Sequence, residues 1–115
     1  MQWQAKRLLE DIRAAAELVR KFTAGRSLDD YCDDAMLQSA VERQLEIIGA
    51  AVRRLCDCDP ALARSITDCD RIIAFQNLLV PGYDAVDAVV VWEVVQSGLP
   101  RLAAEVASLL NAADG

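Results

Sequence analysis

Four cysteines, a run of aspartates and a scatter of arginines are the side chains here that could do chemistry, and they stand in a chain with no histidine. A reaction that needs an imidazole to take up and return a proton near neutral pH is therefore closed to it. Cys56-Asp57-Cys58 resembles half of a zinc site, but structural zinc takes four ligands, usually in closely spaced pairs. Cys32 and Cys69 stand alone, so no metal is expected, and the four thiols read as reduced core or surface groups. Asp29, Asp30, Asp33 and Asp34 read as a solvated helix start, their charge favouring the positive end of a helix dipole, rather than as a cation site. Arg43, Arg53, Arg54, Arg64 and Arg71 are the candidates for a basic patch. With 12 Lys and Arg against 18 Asp and Glu the net charge is −6, whereas affinity for nucleic acid rests on phosphate neutralisation. These arginines therefore read as solvated helix-face charges.

The elements that must position these groups are helices. Leu8, Ile12, Ala15, Val19 and Phe22 recur at spacings of four and three, the stripe of an amphipathic helix. Thr23-Ala24-Gly25-Arg26 ends it, with Gly25 as a left-handed stop. Ser27 followed by Asp30 marks a helix N-cap. Leu37, Val41, Leu45, Ile48, Val52 and Leu55 form the stripe of a long second helix, and Gly49 within it points to close helix packing. Cys56-Asp57-Cys58 is expected to break this helix. Asp59-Pro60 is a restart, a capping carboxylate with proline at the first helical position, so a short helix is expected from Ala61 to Ile66. Asp68 or Asp70 would cap another running to about Leu79.

Pro81-Gly82 is a turn. The valine-rich stretch 84–95 has strand propensity, but no second convincing strand exists to pair with it. Val86, Val90 and Val94 fit a helix that Asp84 would cap. Ser97-Gly98 should interrupt it before a last helix near Pro100 with the stripe Leu102, Val106 and Leu109. Trp92 reads as core or dimer-interface packing. No linker, repeat or low-complexity segment divides the 115 residues, whose number fits one domain over 1–115. The expectation is an all-α fold, an antiparallel bundle of four to five helices. No apolar run approaches the length of a membrane span. Met1 to Arg7 lead into no apolar segment of a signal peptide, so a cytoplasmic location is expected.

Three stretches, in order, resemble the HepT-like family of HEPN-domain proteins. Leu45-Glu46-Ile47-Ile48-Gly49-Ala50-Ala51 matches a family L-E-x-I-G-E-A. The stretch from Ile72 to Tyr83 follows I-x-x-x-R-N-x-L-x-H-x-Y. Val86-Asp87, Val91-Trp92-Glu93 and Leu99-Pro100 match V-D, V-W-E and L-P at the family spacing. The match covers nearly the whole chain. The resemblance implies a dimerising helical bundle, a metal-independent ribonuclease toxin without a cofactor, and a small nucleotidyltransferase antitoxin as partner. It places an Arg-x4-His-x-Tyr motif at the end of the third main helix, in a groove at the dimer interface, with the tyrosine as an acceptor of AMP from the partner.

That motif is altered. Gln76 stands for the arginine and Pro81 for the histidine, while Asn77 and Tyr83 match, and Ala50 stands where the family often has glutamate. Cleaving RNA without metal needs a group to move protons between the 2′-hydroxyl and the leaving oxygen, and a fixed cation to stabilise charge on the phosphate. Gln76 carries no charge and Pro81 neither proton nor side-chain donor. Tyr83, with an ordinary pKa of about 10, is a poor base at neutral pH. The expectation is a HepT-like protein inactive as a ribonuclease and acting through protein contacts, with Asn77 and Tyr83 as scaffold. The alternative is an active endoribonuclease that uses other residues, Arg71 with Tyr83.

Overall fold

The computed structural model describes residues 2–79 and 87–114, without the side chains of 76–79 and 114. Every element among these residues is helical, and no strand occurs among them. In chain order they are α1 (Trp3–Thr23), α2 (Leu28–Cys32), α3 (Ala35–Cys58), α4 (Pro60–Ala63), α5 (Cys69–Leu79), α6 (Ala88–Glu93) and α7 (Leu99–Asp114), with a π-helical turn, Val94–Gly98, joining the last two. The bundle is built from α1, α3, α5 and the rod α6–α7, while α2 and α4 are short connectors. α1 lies chiefly along α3 and also against α7, and α3 carries α5 on another face.

The stripes pack as their spacing requires. Leu8, Ile12, Ala15 and Val19 of α1 are buried, as are Leu37, Val41, Leu45, Ile48, Val52 and Leu55 of α3, and Phe22 is half-buried at the edge of the core. The 11 residues between α1 and α3 include the five of α2. Two tight turns, closed by the Arg26 amide on the Thr23 carbonyl and the Asp34 amide on the Tyr31 carbonyl, fold them back on themselves, so they do not carry the chain back along an α1 about 31 Å long. The two packed helices therefore run antiparallel.

Local chemistry sets the ends. Thr23 to Arg26 form a type II turn, in which Ala24 is extended (φ −57°, ψ 127°), Gly25 has φ +73° and the Arg26 amide donates to the Thr23 carbonyl at 3.0 Å. Only glycine takes that third position without strain. Ser27 and Asp30 complete a capping box: the Asp30 amide donates to Ser27 Oγ at 3.1 Å and the Ser27 amide to Asp30 Oδ2 at 2.9 Å. This holds the Asp30 carboxyl below its ordinary range, chiefly through the Ser27 amide. Asp34 caps α3 by accepting from the Leu37 amide at 3.0 Å. The Gln38 amide nitrogen then donates to the carbonyls of Tyr31 (2.8 Å) and Cys32 (3.1 Å), tying α2 to α3.

Three expectations need correcting. Cys56-Asp57-Cys58 does not break α3; the helix runs through Cys58 and stops because Pro60 disfavours helical geometry at Asp59 (φ −147°). The restart does begin there, since the Leu62 amide donates to Asp59 Oδ1 at 3.1 Å, but α4 ends at Ala63 rather than Ile66. Ser97-Gly98 does not interrupt the last helix. Proline lacks an amide donor and its ring crowds the carbonyl four residues back. Just ahead of Pro100 the backbone widens into the π turn, with the Leu99 amide donating to the Val94 carbonyl, and the rod continues. Leu102 and Val106 are buried in α7 together with Leu110, and Leu109 is half-buried. The expected cap Asp84 lies outside the described residues; Asp87 caps α6, accepting from the Val89 amide at 2.9 Å.

Candidate functional site

The motif positions that the resemblance implies begin on the later turns of α5. Ile72, Ile73 and Phe75 are half-buried against the core and hold that helix on α3. Gln76 and Asn77 follow on the same helix, while Pro81 and Tyr83 lie outside the described residues. Ala50 is exposed on α3, beside buried Gly49 and Ala51. Along α5 runs an open groove of about 740 Å³, floored by Leu45 and Ile48 of α3 and walled by α5 on one side and the α6–α7 rod on the other. The π turn contributes Val94, Ser97 and Gly98 to its rim.

One end of the groove is a polar clasp that the sequence did not reveal. Glu105 of α7 accepts from the Thr67 amide with both carboxylate oxygens, at 3.1 and 3.2 Å, and from Thr67 Oγ1 at 2.6 Å. Asp68, held at φ +62°, accepts from Arg101 at 3.3 Å and lies 3.9 Å from Arg71. Aspartate is among the residues that tolerate this left-handed backbone. The clasp fixes the entry to α5 against α7. Of the charged side chains on the groove among the described residues, Arg71 and Arg101 are cationic and Asp68, Glu93 and Glu105 anionic. Both guanidiniums face Asp68, so the lining offers little uncompensated positive charge to a phosphate. Arg71 stands in the first turn of α5, five residues before Gln76 and so about 7.5 Å along the axis.

Tyr31 was also missed. It is fully buried on α2, its ring tilted 37° to Trp92 of α6 at a centroid separation of 5.4 Å. Trp92 is thereby half-buried against the core, as its size suggested. The signal for Tyr31 was hidden because Asp29, Asp30, Asp33 and Asp34 lie within three positions of it and its helix is little more than one turn long. Of the thiols, Cys32 is exposed and the other three half-buried. Among the described residues no three metal-ligating side chains converge on a point. Arg43 is spent on Glu46 at 3.4 Å. Among the described residues no helix is long and apolar enough to cross a membrane.

A protein-family model, ribonuclease HepT-like, matches residues 12–109. The chain belongs to the HepT-like ribonuclease family. Among its relatives is a Thermococcus cleftensis protein named as a probable ribonuclease HepT, 32% identical over 102 residues, covering 89% of this chain and 92% of the relative. A Methanocaldococcus jannaschii protein named for an RNase is 29% identical over 101 residues, 88% of this chain and 92% of that one. Another from the same organism, named for both a gamma-glutamylcyclotransferase and an RNase, is 29% identical over 114 residues. That alignment takes in 99% of this chain but only 51% of the relative, so the chain spans about half of that protein's length. No solved structure matches.

Proposed function

We propose that this HepT-like protein is inactive as a ribonuclease and works through protein contacts. The observation that carries the reading is the pair Gln76 and Pro81 at the motif positions of arginine and histidine, in a chain with no histidine at all. Loss of either catalytic group commonly costs orders of magnitude in rate, and with both gone no proton-transfer group of suitable pKa stands in the motif. The charge balance of the groove supports the same reading, and RNA binding there is expected to be weak. Arg71, at the opposite end of α5 and beside Asp68, is poorly placed to stand in for the missing arginine.

The partners in this reading are a second copy of the chain and a small nucleotidyltransferase. Val89 and Val90 are exposed at the start of α6, and Val90 lines the groove. A second copy would cover this apolar edge. Tyr83 keeps the side-chain type that the family partner modifies with AMP, but here it serves as scaffold, because the groups it would silence are absent.

The test is incubation of the purified chain with structured RNA in the presence of EDTA. No cleavage above a protein-free control is expected. Site-specific cleavage abolished by Tyr83→Phe or Arg71→Ala would overturn the reading and establish an active site of other residues. Light scattering at micromolar concentration should give a dimer mass, and a strict monomer would remove the second copy from the proposal.

A further inference from the structure

Cys56, in the last turn of α3, and Cys69, the first residue of α5, are 13 positions apart in sequence, yet their sulfurs lie 3.0 Å apart. Both side chains are half-buried, so they are held by packing without being sealed from solvent. An S–S bond of about 2.05 Å needs the sulfurs to close by only about 1 Å. Cys58 is not a competing partner for Cys56 while α3 remains helical, because side chains two positions apart on a helix do not face one another. Cys32 is exposed on α2.

We propose that Cys56 and Cys69 are a reversible, oxidant-responsive disulfide site that pins the start of α5 to the end of α3. This goes beyond the contact-based function above and does not depend on it. The oxidant class is a low-molecular-weight disulfide, with oxidised glutathione as the probe. The thiolate of Cys56 attacks one sulfur of that disulfide, breaking its S–S bond and releasing one glutathione thiolate, which takes up a proton. Cys69 then gives up its proton and attacks the Cys56 sulfur of the mixed disulfide. The Cys56–Cys69 bond forms and the second glutathione leaves. Two protein thiols lose two electrons and two protons, and one oxidised glutathione becomes two reduced ones.

The assignment of roles follows from the environment. Burial, aided by the hydrogen bond to Cys56 and by its charge, pushes the Cys69 thiol up to about 12. The raised Cys69 thiol suits the second step, in which it gives up its proton only as it attacks, and Cys56 is assigned the first. The bridge closes a loop that contains α4, and it fixes the helix that forms one wall of the groove and leads to Gln76 and Asn77.

The experiment equilibrates the full chain in buffers of fixed oxidised-to-reduced glutathione ratio, quenches with acid, alkylates and records intact mass. The expected product carries alkyl groups on Cys32 and Cys58 alone, whereas the reduced chain carries them on all four cysteines, and without alkylation it is lighter than the reduced chain by about 2 Da; it yields a Cys56–Cys69 cross-linked peptide and is reversed by dithiothreitol. Its Tm should exceed that of the reduced chain by about 5–10 °C, from loop closure in the unfolded state. Cys32→Ser and Cys58→Ser should form the bridge normally, while Cys56→Ala and Cys69→Ala should not. Because wild type carries the main readout, poor folding of a variant leaves the test intact. The proposal is overturned by a stable glutathione adduct as the end product, by a bridge through Cys58 or Cys32 or between two chains, or by unchanged mass at the most oxidising ratio. A bridge that leaves Tm unaltered would mean that the native fold strains to accept it and would refute a site preformed by the 3.0 Å contact.

Discussion

Tyr31→Phe should stabilise this protein. The Tyr31 side chain is 0% exposed, and its hydroxyl has no hydrogen-bond partner among the described residues. Burying a hydroxyl without a partner costs about 1–3 kcal/mol. Phenylalanine removes that cost while keeping the ring on Trp92. The lost oxygen leaves a void that takes back a few tenths of a kcal/mol at about 24 cal/mol per Å³. The net gain is about 1 kcal/mol, or about 4 °C in Tm. Urea denaturation at pH 7 measures it as a higher midpoint with an unchanged slope.

A second arm uses pH. Burial first, then the charges of Glu42 and Cys32, raise the Tyr31 pKa well above its ordinary 10.0. Below pH 10 the group is protonated in both states and has no effect on the pH dependence. Above pH 10 it ionises first in the unfolded chain, so stability falls as pH rises, by about 1 kcal/mol between pH 10 and 11. Cys69 has the same sign, from its ordinary 9.0 up to about 12, and is common to both proteins. The difference between wild type and Tyr31→Phe isolates the tyrosine, and the gap between them should widen by that amount over the interval. Destabilisation at pH 7 by more than about 0.5 kcal/mol would mean that the hydroxyl is bonded and would refute the reasoning. So would a gap that stays constant from pH 9 to 11.

The caps, the glycine in the π turn and one shifted carboxylate give further tests. Asp34→Ala and Asp59→Ala each remove an oxygen that accepts a helix-start amide; each should lower stability by about 1 kcal/mol in denaturant titration. Gly98→Ala should raise Tm, because a Cβ there meets nothing within 4 Å and its φ is not positive, and glycine costs a helix about 0.5–1 kcal/mol relative to alanine. Burial, with Glu46 as the lesser cause, raises the Glu42 pKa above 4.5. Its favourable contribution is present below that pH and lost as pH rises through the folded value. Glu42→Gln should therefore gain stability relative to wild type at pH 7 and lose that advantage near pH 3, in thermal melts at the two pH values.

The bundle was legible in the sequence because the long helices carry their instructions locally. The stripe Leu37 to Leu55 is periodic over five turns, and all six members are buried. Gly25, Ser27, Asp34 and Asp59 act on amides within three positions of themselves, so they too could be read in one dimension. Where the reading failed, a local signal lost to something non-local or cumulative. Ser97-Gly98 looks like a break, but a helix already packed on α1 retains its backbone bonds by widening before Pro100 rather than stopping.

The candidate site divides in the same way. Gln76, Asn77, Pro81 and Tyr83 could be aligned with the family pattern because the motif is contiguous. The groove along α5 draws on Ile48, Phe75, Val94 and Leu102, four segments that no window of sequence contains together. Its electrostatic character is equally non-local: Asp68 meets Arg101, 33 positions away, and Thr67 meets Glu105 across 38. Two arginines that composition alone would offer to a phosphate both face one carboxylate. The uncharged Gln76 on the later turns of α5 and the compensated charge at its start are independent features, and Gln76→Arg with Pro81→His alone would leave the second in place. Recovering RNA affinity should therefore require Asp68→Asn as well as Gln76→Arg and Pro81→His. Filter binding at low salt should rank the triple variant above the double, and equal affinities would show that the clasp does not limit access to the groove.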